Sequence, residues 1–110
     1  MSGLKKPVKD ARVSVESFTA SGDYTFPSSS PRTIIVDKVA PAITTVNLPV
    51  SPTIGDERRV IDGSGAASTY NITISGNGCL IDGYATLILS ANGETATVLF
   101  DGALWRRIGG

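Results

Sequence analysis

The amino-acid sequence predicts an all-β protein: a compact antiparallel sandwich or barrel-like module of short strands and hairpins, behind an extended N-terminal arm. Three observations predict it. Apolar and polar residues alternate in short runs and do not recur at helical spacing. Those runs are rich in Val, Ile and Thr. Gly, Pro, Asn and Asp separate them at short intervals, with Asn-Gly and Asp-Gly pairs that accept the positive φ needed by a tight turn between twisted strands.

The elements follow in order. Residues 12–16 alternate cleanly, and Ser21-Gly22 turns the chain into a strand over 23–26. Pro27, three serines and Pro31 make a loop. Strands over 33–39 and 43–48 flank Ala40-Pro41, and the two prolines within 49–55 mark an irregular connection. Beyond Arg58 the turns become denser. Residues 59–61 lead into Asp62-Gly63-Ser64-Gly65, and a strand over 71–75 ends at Gly76-Asn77-Gly78. Leu80-Ile81 runs to Asp82-Gly83, and 85–89 is the most apolar strand. Ala91-Asn92-Gly93 reverses it into 95–100, and Asp101-Gly102 reverses that into 103–108, so the second half reads as a meander of hairpins. "ITISGNGCLIDG" and "LILSANGETATVLFDG" echo one another as two related hairpins, with a β-helix fragment as the alternative reading.

Composition narrows the chemistry. A chain of 110 residues is one domain's worth, with 18% charged residues and no net charge, so no global field draws nucleic acid or a membrane surface. Local bias is confined to residues 1–12, a basic arm in which Lys5, Lys6, Lys9 and Arg12 outweigh Asp10. Residues 1–11 lack a signal-peptide core, which predicts a protein made and used without secretion through a signal. Cys79 is the one cysteine and reads as a small core residue. With no histidine, Ser-His-Asp and Cys-His arrangements are excluded. Gly63-Ser64-Gly65 has neither the final glycine of a dinucleotide loop nor the lysine of a phosphate loop. Asp56, Glu57, Asp62, Asp82 and Asp101 are the candidates for acid–base work, but three of them precede glycine, where turn geometry alone favours aspartate. No cofactor, metal or small-molecule substrate is expected. Alternation sends one arginine of each pair, Arg58-Arg59 and Arg106-Arg107, to each side of its strand: one to solvent, the other to a subunit contact or an edge carboxylate.

From Leu48 to Ile108 the chain resembles a small β-module of tailed-bacteriophage fibre, tailspike and head-decoration proteins. The likeness is carried by Ile54-Gly55-Asp56, Val60-Ile61-Asp62-Gly63-Ser64-Gly65, Asn71-Ile72-Thr73-Ile74, Gly76-Asn77-Gly78, Ile81-Asp82-Gly83, and Phe100-Asp101-Gly102 with Trp105. The resemblance implies a non-enzymatic virion protein assembled as a homotrimer, in which Ile72, Ile74, Leu87, Leu89, Val98 and Phe100 fill the core. Trp105 then closes one end of that core or packs at the subunit seam. It divides the chain into the arm (1–12), N-terminal strands with the Ser/Pro loop (13–47) and the module itself (48–110). The short length and the arm favour capsid decoration, cement or head-fibre duty, with Lys5, Lys6, Lys9 and Arg12 contacting a major capsid protein or another virion protein. A tail-fibre or tailspike module is the alternative, and a glycan-active enzyme a third class.

Overall fold

The computed structural model describes residues 14–110. Every regular element among them is a strand: β1 (Val15–Phe18), β2 (Tyr24–Thr25), β3 (Thr33–Val36), β4 (Thr44–Asn47), β5 (Glu57–Asp62), β6 (Ile72–Ser75), β7 (Thr86–Leu89), β8 (Thr95–Phe100) and β9 (Trp105–Gly109). They form two sheets, ordered β1-β3-β5-β8-β9 and β2-β4-β6-β7. The all-β expectation holds. The purely antiparallel one does not.

The chain alternates between the sheets through β6, so each sheet gains its first three strands in parallel: β1, β3 and β5 in one, β2, β4 and β6 in the other. This is the winding of a short β-helix, with Val15, Thr33 and Arg59 stacked in register, and Tyr24, Val46 and Ile74 likewise. Antiparallel pairing begins only where the chain folds back, as β6–β7, β5–β8 and β8–β9. Two expected hairpins are therefore crossings. Asp62-Gly63 carries the chain from the first sheet to the second, and Ala91-Asn92-Gly93 carries it from β7 back to β8 in the other sheet. The turn chemistry was legible all the same: Asn77-Gly78 and Asp82-Gly83 have positive φ at both residues, at 53° and 105°, and at 50° and 91°.

Alternation fills the space between the sheets. Ile34, Val36, Val60, Ala96, Val98 and Phe100 face inward from one sheet, and Val46, Ile72, Ile74 and Leu89 from the other. Leu87 is half-buried against this cluster, as is Cys79. Phe18, Tyr24 and Phe26 close the β1/β2 end as a run of tilted and edge-on aromatic contacts at 5.4–5.5 Å between centroids. Trp105 is 0% exposed within the single chain, 5.4 Å from Phe100 between ring centroids. Its ring thus needs no subunit seam to cover it. Gly76 is fixed by crowding: a methyl there would be driven into the Cys79 carbonyl, so only hydrogen fits.

Candidate interaction surface

Winding gathers the loops at two ends. Residues 19–23, 37–43, 63–71 and 90–94 share one end; 26–32, 48–56, 76–85 and 101–104 share the other. Backbone groups tie each set together. Asp37 N donates to the Phe18 carbonyl and Gly63 N to the Val36 carbonyl at the first end. Leu48 N donates to Ser75, Gly55 N to Phe100 and Trp105 N to Leu80 at the second.

The five candidate carboxylates do not converge on a common site. Asp62 is buried at the end of β5 and accepts from Ala67 N and Gly93 N, each at 2.9 Å, and from the Ser64 hydroxyl at 3.3 Å. Burial would raise its pKa, but the N–H groups of Gly93, Ala67 and Ala66 and the Ser64 hydroxyl outweigh burial and hold it below the ordinary value. Asp101 accepts from Leu104 N and Ala103 N in the β8–β9 turn and pairs with Arg106 at 3.0 Å, which together push its pKa down to about 2. Asp82, in left-handed backbone, accepts from Arg107 N at 3.2 Å and lies 3.9 Å from Arg106. Asp56 closes its turn by accepting from Thr53 N at 2.8 Å. Glu57 lines an open groove of about 530 Å³ with Arg32, Thr33, Gly55 and Arg59. Glu94, which the sequence did not single out, is held low by the Ala91 and Ser90 N–H groups and by Arg107. Four of these six side chains hold loop backbone directly.

Such clamping has a sign. A carboxyl held below its ordinary value by the fold stabilises the fold when ionised, so the contribution is complete above the ordinary range and is lost as pH falls through the folded values. Thermal melting should therefore be flat from neutrality to about pH 4.5 and should fall between there and about pH 2. Asp62→Asn should cost about 1–2 kcal/mol at pH 7 and reduce the acid slope, because two loop N–H groups, that of Ala67 buried and that of Gly93 partly so, lose a charged acceptor. An unchanged slope in the variant would assign the acid transition to other carboxylates.

No protein-family model matches the chain, and no curated protein matches it. The surface must speak through its own chemistry.

The Arg106-Arg107 pair meets carboxylates as expected, whereas Arg58 departs from the expectation by entering the core. Arg59 points outward and donates to the Thr97 hydroxyl at 3.1 Å. Arg58 enters the core of its own chain, 1% exposed, with its guanidinium 5.6 Å from the Phe26 ring centroid. Its Nη2 donates to the carbonyls of Pro27, Ser28 and Ser29 at 3.1–3.2 Å, locking the Ser/Pro loop. Arg106 pairs with Asp101 and Asp82, and Arg107 with Glu94 at 3.5 Å. Exposed apolar side chains cluster by loop set: Val50, Ile54, Leu80 and Tyr84 at the second end, Val39, Ile43 and Tyr70 at the first. The expected partner contacts Lys5, Lys6, Lys9 and Arg12 lie outside the described residues. Among the described residues no group of three or more His, Cys, Asp or Glu is placed to hold a metal ion.

Proposed function

We propose that this chain is a non-enzymatic structural module of a bacteriophage virion, a trimeric capsid-decoration, cement or head-fibre protein. The observation that carries the proposal is the division of labour on the surface. Carboxylates are spent on holding loops, while the loops they hold display apolar side chains, Val50 and Ile54 each 70% exposed. Side chains of that kind on firmly held loops suit contact with other subunits. The sequence likeness from Leu48 to Ile108 supplies the virion setting, and the basic arm supplies attraction to an acidic capsid exterior. A tail-fibre or tailspike module is the second reading, favoured by parallel rungs that stack along one axis as in an elongated shaft.

Light scattering tests the assembly. At micromolar concentration the chain should have three times its monomer mass, and Val50→Asp with Ile54→Asp should return it to monomer while its β-sheet circular dichroism persists. A monomer mass for the unaltered chain would defeat the proposal. Binding to expanded phage heads in a stoichiometry tied to the lattice supports decoration; binding to host cells instead supports the fibre reading.

A further inference from the structure

We infer that the groove at the starts of β3 and β5 is a docking site for an acidic segment of a partner protein, one carboxylate of which is held between Arg32 and Arg59. The two arginines rise from neighbouring backbones. Arg59 N donates to the Arg32 carbonyl at 2.9 Å, and Thr33 is paired in register with Arg59. Both arginines are exposed, and both line the open groove of about 530 Å³, a size within the range of ligand clefts.

Charge complementarity names the occupant. Among the described residues every ion pair belongs to Arg106 or Arg107, so Arg32 and Arg59 have no carboxylate partner there. Asp56 could neutralise them, but its carboxylate is turned into its own loop, accepting from Thr53 N at 2.8 Å. Arg58, between Glu57 and Arg59 in β5, adds a buried positive charge with no carboxylate in contact. Glu57 alone opposes three guanidinium groups at this end of the sheet. Arg59 is also preorganised. Its Nε donates to the Thr97 hydroxyl at 3.1 Å, and Thr97 is 5% exposed, its own hydroxyl donating to the Gly110 carbonyl at 3.5 Å. That bond aims the guanidinium and leaves its two terminal nitrogens for a ligand, the fork that matches a carboxylate. Gly55 supplies wall without a side chain, and a methyl there would meet nothing within 4 Å.

The lining favours a peptide over a polymer of phosphates. Glu57 stands in the same groove, so successive phosphates would meet a like charge, whereas a carboxylate flanked by uncharged backbone would not. A peptide also offers N–H groups to which Glu57 can be the acceptor. None of the five lining residues is aromatic, so a nucleic-acid base would find no ring to stack on. The groove is complete in one copy of the chain and does not depend on the assembly reading, so a monomer would bind equally.

The test is a nuclear magnetic resonance titration of the full chain with a blocked peptide of alternating glycine and glutamate. Its controls are the glutamine counterpart of that peptide, sodium sulfate and a single-stranded oligonucleotide. Saturable shifts should centre on Arg32, Thr33, Gly55, Glu57 and Arg59, and the affinity should fall with added salt. Arg32→Gln and Arg59→Gln should each weaken the peptide about tenfold at unchanged melting temperature, the loss of one charge-assisted contact. Thr97→Val keeps every charge and should weaken it about threefold, because the Arg59 fork must then be ordered on binding. Glu57→Gln should let the oligonucleotide bind. Absence of saturation by the acidic peptide at millimolar concentration, equal binding of its glutamine counterpart, saturation by sulfate alone, preference for the oligonucleotide, or arginine variants that bind like the unaltered chain would each overturn the inference.

Discussion

Trp105→Ala is expected to destabilise the protein by about 3–5 kcal/mol, the largest effect of any single truncation. The ring is 0% exposed and packs on Phe100, so its removal leaves a cavity that neighbours on two sheets cannot jointly refill. Its backbone also carries the tie between sheet and loop: Trp105 N donates to the Leu80 carbonyl at 2.9 Å, and Asp82 N donates to the Trp105 carbonyl at 2.8 Å. Loosening the side chain therefore loosens residues 80–84 as well. The indole Nε1 is buried and has no protein acceptor. Trp105→Phe should consequently cost much less than the alanine change, because it keeps most of the ring and removes a donor that gains nothing from the fold. Chemical denaturation measures both. A loss below about 0.5 kcal/mol for Trp105→Ala would mean that the ring is not in the core.

Arg58→Ala should cost about 3 kcal/mol, from lost packing on Phe26 together with the released carbonyls of residues 27–29. Arg58→Met separates the two contributions. It keeps an unbranched apolar side chain beside the ring, avoids burying a charge that has no carboxylate in contact, and removes the hydrogen bonds together with the guanidinium's contact to Phe26. The methionine variant should lose about 1 kcal/mol, while amide exchange in residues 27–32 accelerates. If the alanine and methionine variants are equally unstable, the loop contacts dominate; if methionine is neutral, packing does.

Both residues bear on what the sequence could reveal. Alternation places Trp105 inward, which decides between the two positions the resemblance left open, the end of the core and a subunit seam. Alternation likewise places Arg58 in the same inward set as Val60 and Asp62, but charge argued for solvent or a partner. The signal was parity, and it was overruled by residue type. Local turn chemistry was legible at Asn77-Gly78 and Asp82-Gly83, because positive φ is a property of two residues. Which sheet follows a turn is not. Asn92-Gly93 has the letters of a hairpin and makes a crossing, since Glu94 and Asp62 hold that turn against a different sheet.

Parallel stacking left still less trace. From Val15 to Thr33 is 18 residues, and from Thr33 to Arg59 is 26. Rungs of unequal length produce no period to detect, and a parallel neighbour has no turn to announce it. Cross-strand neighbours in the four-stranded sheet were hidden for the same reason. Thr25, Asn47, Ser75 and Thr86 become a row only when four strands are placed in register.

That register has a mechanical consequence. β1 and β9 occupy opposite edges of the five-stranded sheet and run in the same direction, because two antiparallel pairings restore the sense lost at the first. The chain enters β1 near one end of the sheet and leaves β9 near the other. Tension applied between Ser14 and Gly110 is therefore directed along the strands. It shears each ladder, loading its hydrogen bonds together instead of opening them one after another like a zip. Pulled through those two points, the sheet should resist as a unit and yield abruptly. The same protein pulled through Val15 and Trp105, which lie at the same end of the sheet on opposite edges, should peel apart strand by strand at lower force.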